Sequence, residues 1–266
     1  MKIALCLSGH VRTYKKCEKS LFEKIIEPYN PDIFIHTWND VGYGLNGVKS
    51  KFINKKTRKI IESNAKYGRS EIEFLRTNKK VTLDYFSNLN SKKIEIEDYQ
   101  DVEKEILDLA STVVHKGPED HPPNIVSLYR KIYLCNKLKT EYEDKNNFKY
   151  DVVIRSRPDI YYNNSIDFIN LDALNTVKQS SFGMLSDIFY FSNSKNMDIL
   201  SNLYKCMPEY IENKVRFNPH FLMQYHLIEE KIPFYINTLL DLFVIKTDKS
   251  PPNKFKNTVK KVLNFN

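Results

Sequence analysis

The amino-acid sequence predicts an α/β protein, and three observations support this fold class. First, apolar segments of strand length at 2–8 and 32–38 enclose a helix-like segment at 15–26, which is the order of a βαβ unit with parallel strands. Second, strand-like and helix-like segments keep alternating along the rest of the chain. Third, no segment repeats, so the pattern predicts one domain.

The composition is that of a globular protein. The 266 residues are 41% hydrophobic and 13% aromatic, which is enough for a packed core. The N-terminal segment lacks the cleavage site of a signal peptide, and no apolar run approaches the ~20 residues of a membrane span. Cysteines without CxxC or metal-clip spacing predict reduced thiols in a cytoplasmic protein. They are Cys6, Cys17, Cys135 and Cys206.

The net charge of +8 is unevenly distributed. Residues 246–266 contain six lysines and one aspartate, so this basic tail carries +5 and leaves +3 for residues 1–245. The balanced body does not predict a nucleic-acid surface, although binding of nucleic acid through the tail is a separate hypothesis. Phe255, Val259 and Val262 are spaced for a basic amphipathic helix on an anionic membrane surface. A solvated disordered tail and a helix packed on the body are the alternatives.

Residues 1–245 are expected to form the domain, with 40–121 as a variable insertion. Within the insertion, the sequence predicts a loop marked by Gly42, Gly44 and Gly47. It also predicts helical segments at 51–64 and 69–76, a strand at 81–86 and a helix at 97–114. The clearest helix is Asn124–Glu143, whose apolar residues recur at spacings of three and four, with Asn124 as its N-cap. The remaining elements are strands at 187–192, 233–237 and 242–246 and helices at 194–205 and 218–230.

The stretch YDVVIRSRPD combines an apolar strand with charges at its end. If the strand stays regular, Arg155, Arg157 and Asp159 point to one side, and Pro158 ends the sheet. Ligands of open α/β sheets bind at the carboxyl ends of strands. Guanidinium groups bind phosphate oxygens, and a carboxylate can hold a divalent cation or a sugar hydroxyl. The alternative is an internal Arg–Asp ion pair that only finishes the strand.

The first two predicted strands also end in polar residues. Gly9 is placed at a tight strand-to-helix turn, where backbone N–H groups can approach a phosphate, with Arg12 just beyond it. Arg12 could equally be a solvated residue at a helix start. His36 and Trp38 end the second strand, as a core histidine and a core aromatic residue or as the wall of a pocket.

Five segments in this order carry a resemblance to a known family. They are IALCLSGHVRTY, PDIFIHTW, SLYRKIYLCNKLKTEYE, YDVVIRSRPDIYY and FGMLSDIFYFSN, which together cover about half of the chain. The sequence resembles small bacterial and viral glycosyltransferases with a GT-A-like fold, which act in capsule, lipopolysaccharide and viral glycan pathways. The resemblance implies a mixed, mainly parallel sheet flanked by helices, and YDVVIRSRPD is its most specific part.

The resemblance also implies roles for the charged strand end. Asp159 would contact a metal ion or the sugar nucleotide, and Arg155 and Arg157 would face the diphosphate or brace the site. Many GT-A enzymes carry an Asp-x-Asp metal motif at this place, but this chain has one acidic residue there. A divalent cation, Mn²⁺ or Mg²⁺, is therefore expected only as an open alternative, because the arginines could supply part of the neutralising charge.

The same resemblance places further residues around the nucleotide. Gly9, His10 and Arg12 would lie under it, and Asp187 would be the general base that takes the acceptor proton, or else a capping carboxylate. Weaker candidates on the preceding helix are Tyr129 and Lys131. The expected activity is transfer of a sugar from a sugar nucleotide to a glycan or lipid-linked acceptor in surface polysaccharide or glycan synthesis. The alternative is a non-catalytic nucleotide-sugar or glycan-binding protein of the same fold.

Overall fold

The computed structural model describes residues 1–42, 80–117, 120–178 and 184–244. Its strands are β1 (Ile3–Ser8), β2 (Asp32–Trp38), β3 (Ser91–Glu97), β4 (Val152–Ser156), β5 (Ile160–Tyr162), β6 (Leu174–Lys178), β7 (Leu185–Ser192), β8 (Phe234–Ile236) and β9 (Leu242–Val244). Its helices are α1 (Tyr14–Leu21), α2 (Tyr99–Ser111), α3 (Pro122–Lys145), α4 (Ser194–Ser201), α5 (Leu203–Glu212) and α6 (Pro219–Glu229). The chain continues from α1 through a π-helical stretch, Phe22–Ile26, into the short helix Glu27–Tyr29.

The main sheet has the strand order β3-β2-β1-β4-β7-β6-β8 among the described ranges. The pairs β3/β2, β2/β1, β1/β4 and β6/β8 are parallel, and β7 is antiparallel to both of its neighbours. A separate two-stranded sheet joins β5 and β9. The predicted α/β class with a mixed, mainly parallel sheet flanked by helices is therefore confirmed.

Strand β1 lies between two hydrophobic cores, as its continuous apolar run predicts. Ala4 and Cys6 face the core that contains α3, whereas Leu5 and Leu7 face the core that contains α1. Helix α3 packs against β1 and β2, and α6 packs against β7. The helices thus cover both faces of the sheet.

Several predicted elements differ from the observed ones. Residues Leu83–Phe86 form a 3₁₀ turn instead of the strand predicted at 81–86. Helix α3 begins at Pro122 after His121, so the prediction of Asn124 as N-cap is wrong; proline at the first helical position has no N–H to be satisfied. The predicted helices at 51–64 and 69–76, Gly44, Gly47 and the 246–266 tail lie outside the described residues.

The strand β3 is absent from the sequence prediction. It lies at the edge of the sheet and alternates isoleucine with lysine and glutamate, and most of its side chains are partly exposed. Charged side chains are a common feature of edge strands, because they discourage pairing with other chains. No helix among the described segments is long and apolar enough to cross a membrane.

Candidate functional site

The ends of four strands bring the polar residues together. β1, β2 and β4 are parallel, so their carboxyl ends lie at the same edge of the sheet. β7 runs antiparallel to β4, with Ser156 opposite Phe189, so the beginning of β7 lies at that edge too. The segments after β1 and β4 and the start of β7 therefore meet where α/β sheets bind ligands.

A charged row follows this edge. We define the charged row as Arg12, Asp159, Arg157, Asp187 and His220. Asp159 contacts both arginines, Asp187 helps to raise the pKa of Arg157, and Asp187 contacts His220. Basic and acidic side chains alternate along the row, so each basic side chain has a carboxylate neighbour.

Asp159 is the centre of the row. Its carboxylate is fully buried and accepts two hydrogen bonds from Arg157, at 2.8 Å from Nε and 2.7 Å from Nη2. Nη1 of Arg12 lies 3.6 Å from the same carboxylate. Burial lowers the pKa of Arg157, but Asp159 and Asp187 outweigh burial and raise it. Asp159 therefore fixes the positions of two guanidinium groups.

The strand alternation predicted for this segment ends early. β4 stops at Ser156, and Pro158 and Asp159 form a turn before β5. Arg157 still donates its backbone N–H to the carbonyl of Ile188 on β7, at 3.2 Å. The turn brings the carboxylate of Asp159 to Arg12. The regular strand that the sequence predicts does not include this contact.

The other members of the row are open to solvent. The exposed fractions of the side chains of Arg12, Arg157, Asp187 and His220 lie between 13% and 33%. Nε of Arg12 is buried and has no hydrogen-bond partner among the residues that the structure describes. Burial and the neighbouring Arg157 lower the pKa of Arg12, and Asp159 opposes them. The row thus presents cationic donors that a solute can reach.

The corner after β1 depends on unusual backbone conformations. Gly9 has φ +107° and Arg12 has φ +41°, a value that non-glycine residues rarely adopt. The N–H of Arg12 donates to the carbonyl of Val41 at 2.7 Å. A Cβ at Gly42, where φ is +68°, would lie 2.3 Å from the ring of His10. Gly42 therefore lets the β2 end pack against this corner.

His10 also lies at this edge. Its Nδ1 is 3.4 Å from Oδ1 of Asp40, and its ring centroid is 6.0 Å from that of Trp38. Arg12 is on the same turn, so the structure places two of the predicted nucleotide residues together with Gly9. Asp40 was not singled out in the sequence, because it lies in the loop after β2.

Asp187 pairs with a residue that the sequence prediction missed. Nδ1 of His220 lies 3.6 Å from Oδ1 of Asp187 and 2.9 Å from the carbonyl oxygen of Leu185. His220 is in the first turn of α6, whose N-cap Asn218 accepts backbone N–H groups. The Asn-Pro start of a helix was the only local signal, and it does not reveal contact with β7.

Arg155 is placed beneath the row. Its side chain is 2% exposed, donates from Nε to Oγ of Ser8 at 3.1 Å and donates from Nη1 to the carbonyl of Asp187. These contacts tie together the ends of β1, β4 and β7. Of the two roles expected for Arg155, its position corresponds to bracing the site and not to facing a diphosphate.

His36 and Trp38 belong to a closed cluster under the same edge. Nζ of the buried Lys131 lies 2.6 Å from Glu97, 3.2 Å from Nδ1 of His36 and 3.4 Å from the centroid of Trp38. Burial and Lys131 lower the pKa of His36 to about 3, and burial lowers the pKa of Lys131 to about 8. The positions of His36 and Trp38 correspond to a core histidine and a core aromatic residue, and not to the wall of a pocket. Tyr129 is also buried; burial and then Asp187 raise its pKa.

The observed donors do not fit a divalent cation at Asp159. Both oxygens of this carboxylate already bind Arg157, and a metal ion would have to displace it. Across the described part of the chain, no group of three or more His, Cys, Asp or Glu side chains could hold a metal ion. The metal role of Asp159 stays a prediction.

Neither the protein-family models nor the curated proteins give a match to this chain. Among solved structures, the chain is similar to mouse xyloside xylosyltransferase 1 in its apo form. The sequence identity is 8%, the alignment covers 89% of this chain and 84% of that one, and the TM-score is 0.42. A similarity of this degree does not indicate which residues bind or react.

Proposed function

We propose that this protein is a sugar-nucleotide-dependent glycosyltransferase that moves one sugar to a glycan or lipid-linked acceptor in surface polysaccharide or glycan synthesis. The observation that supports this best is the charged row, in which Asp159 holds Arg12 and Arg157 at the carboxyl edge of the sheet. Both arginines are partly exposed there. A diphosphate is the ligand chemistry that two fixed guanidinium groups favour.

The reaction needs stabilisation of a leaving anion. When the bond between the sugar and the diphosphate breaks, positive charge develops at the anomeric carbon and negative charge on the departing phosphate. Donors that are already fixed by Asp159 do not have to reorganise as that charge appears. Because burial and Arg157 lower the pKa of Arg12, a bound anion would relieve the repulsion between the two cations.

The rest of the edge supplies the remaining roles. Gly9, His10 and Arg12 lie at one corner, where the nucleotide would bind. Asp187 lies at the other end of the row, beside His220, where an acceptor hydroxyl could lose its proton. The basic tail at 246–266 lies outside the described residues, and its contact with a membrane surface stays a prediction.

A thermal-shift panel tests the binding part of this proposal. The wild-type protein is heated with UDP, GDP, CMP, dTDP and the corresponding sugar nucleotides, with and without Mn²⁺. We expect one base to raise the melting temperature, since ligand binding stabilises the folded state in proportion to the logarithm of ligand concentration over Kd. The shift should be lost in Arg157→Ala and kept in Lys19→Ala, because Lys19 is an exposed cation on α1 whose salt-bridge partner is Glu23.

Turnover separates the enzyme from the binding protein. The nucleotide that binds is offered as its sugar nucleotide, and release of free nucleoside diphosphate or monophosphate is followed. Release that is lost in Arg157→Ala supports a transferase. Binding without any release, over a range of sugars and glycan acceptors, would favour the non-catalytic alternative. No binding by any nucleotide would contradict both.

A further inference from the structure

The hydrogen bond of His220 fixes the form of its imidazole ring. Nδ1 lies 2.9 Å from the carbonyl oxygen of Leu185, which can only accept a hydrogen bond. Nδ1 must therefore carry the proton in this contact, and in a neutral imidazole Nε2 then carries the lone pair. Nε2 is the atom that can take a proton from another molecule.

Asp187 lies on the protonated side of the same ring. Its Oδ1 is 3.6 Å from Nδ1, so a carboxylate stands beside the nitrogen that keeps its proton. A carboxylate in this position stabilises the imidazolium that forms when Nε2 gains a proton. The side chain of His220 is 14% exposed, so a small solute can reach it.

The pair lies at one end of the charged row. Asp187 helps to raise the pKa of Arg157, so its carboxylate acts electrostatically on that guanidinium group. The backbone N–H of Arg157 also binds the strand of Asp187, at Ile188. A sugar whose diphosphate lies on the arginines would thus have its anomeric carbon near the pair.

We propose that Nε2 of His220 is the general base of the transfer, and that Asp187 supports it through Nδ1. This inference rests on the proposed function. The acceptor hydroxyl gives its proton to Nε2 while its oxygen bonds to the anomeric carbon. The bond between that carbon and the diphosphate oxygen breaks, and the nucleoside diphosphate leaves with the bonding electron pair. Such a single displacement inverts the anomeric configuration.

The test compares turnover of the sugar nucleotide that the wild-type protein binds in the panel above. In His220→Asn, the side-chain amide can still donate to Leu185, but Nε2 is absent. We expect kcat to fall ~10²–10⁴-fold, the range for loss of a general base. KM and the thermal shift with nucleoside diphosphate should stay within about twofold. His115→Asn, at an exposed histidine, is the matched control.

Chemical rescue distinguishes a base from a positioning residue. Imidazole added to His220→Ala should restore part of the turnover, and the first-formed product should have the inverted configuration. Full activity of His220→Asn, no rescue, or a retained configuration would overturn the assignment while the wild-type activity upheld the proposed function. If the wild-type protein turned over no sugar nucleotide, the proposed function would fail and the role of His220 with it.

A measurement on the wild-type protein covers the case in which the variants do not fold. The ¹⁵N chemical shifts of the His220 ring report which nitrogen carries the proton. A protonated Nδ1 and an unprotonated Nε2 support the proposal. A proton on Nε2 in the neutral ring would overturn it, because that nitrogen could not act as a base.

Discussion

The charged row and the cluster around Lys139 both pair basic side chains with carboxylates, but they differ in how far they are buried. We define the Lys139 cluster as Lys139, Glu143, Ser194 and Asp198, at the boundary between α3 and α4. Nζ of Lys139 is 3.1 Å from Glu143, 2.6 Å from Ser194 and 2.6 Å from Asp198. All three donors of this fully buried ammonium group are used.

The hydrogen-bonding groups of the charged row are not all used within the protein. The buried Nε of Arg12 has no hydrogen-bond partner within the described ranges, and four of the five side chains of the row are partly exposed. The Lys139 cluster has its charges satisfied internally, so its effect is on stability. The row has partly exposed guanidinium groups, so its effect should be on binding. Substitutions in the two regions should therefore affect different measurements.

The largest expected effect is loss of stability in Lys139→Met. The substitution removes the buried cation that Glu143 and Asp198 share and leaves the half-exposed Lys149, at 3.2 Å, beside Glu143; breaking a buried pair costs about 3–5 kcal/mol. We expect the free energy of unfolding in urea to fall by that amount, with nucleotide affinity unchanged. Lys137→Met, at an exposed lysine on the same helix, should change the free energy by less than about 0.5 kcal/mol. Equal effects of the two variants would contradict the comparison.

Asp159→Asn tests the fully buried carboxylate of the charged row, whose other side chains are partly exposed. The amide keeps the shape of the side chain, but Arg12 and Arg157 lose the negative charge between them. We expect a loss of about 3 kcal/mol in urea unfolding, below the upper limit for buried pairs because both arginines are partly exposed. Nucleotide binding should weaken in the same variant. A stable variant with full binding would show that Asp159 does not organise the row.

The cluster beneath the row predicts a pH dependence. The pKa of His36 is about 3 in the folded protein, below its ordinary value of 6.5, so the unfolded chain binds the proton more readily. The contribution of the neutral His36 ring to the stability of the fold is complete above pH 6.5 and is lost as the pH falls toward 3. At pH 5 the loss should be about 2 kcal/mol. This loss of stability should be absent in His36→Gln, measured by urea unfolding at pH 7 and pH 5. Equal losses in the wild-type protein and the variant would assign the pH dependence to other groups.

The sequence predicted the elements whose pattern is local. β2 was predicted with its observed bounds and β1 to within one residue, because continuous apolar runs at the centre of a parallel sheet are buried on both faces. β3 was missed because its partly exposed residues do not form an apolar run. The apolar spacing also located α3, but the start of that helix depends on Pro122 and not on Asn124.

The site was predictable only in part, because only some of its residues belong to a local sequence pattern. The charges after β4 were visible as a break in an apolar strand, which is how Arg157 and Asp159 were found. Their contact with Arg12 depends on a turn after Ser156 and on the parallel pairing of β1 with β4. His220 meets Asp187 because α6 packs against β7, and no local pattern in the sequence carries that information.

The smallest expected change in stability is at Arg157, where the effect should appear in binding. Lysine keeps the charge in Arg157→Lys but cannot make two parallel hydrogen bonds to Asp159. We expect unfolding in urea to change by less than about 1 kcal/mol and nucleoside diphosphate affinity, measured by calorimetry, to fall about tenfold. Arg216→Lys, at a half-exposed arginine near Asp120, should change neither quantity. If Arg157→Lys lost stability as Lys139→Met does while binding stayed intact, the row would be a structural ion network like the Lys139 cluster.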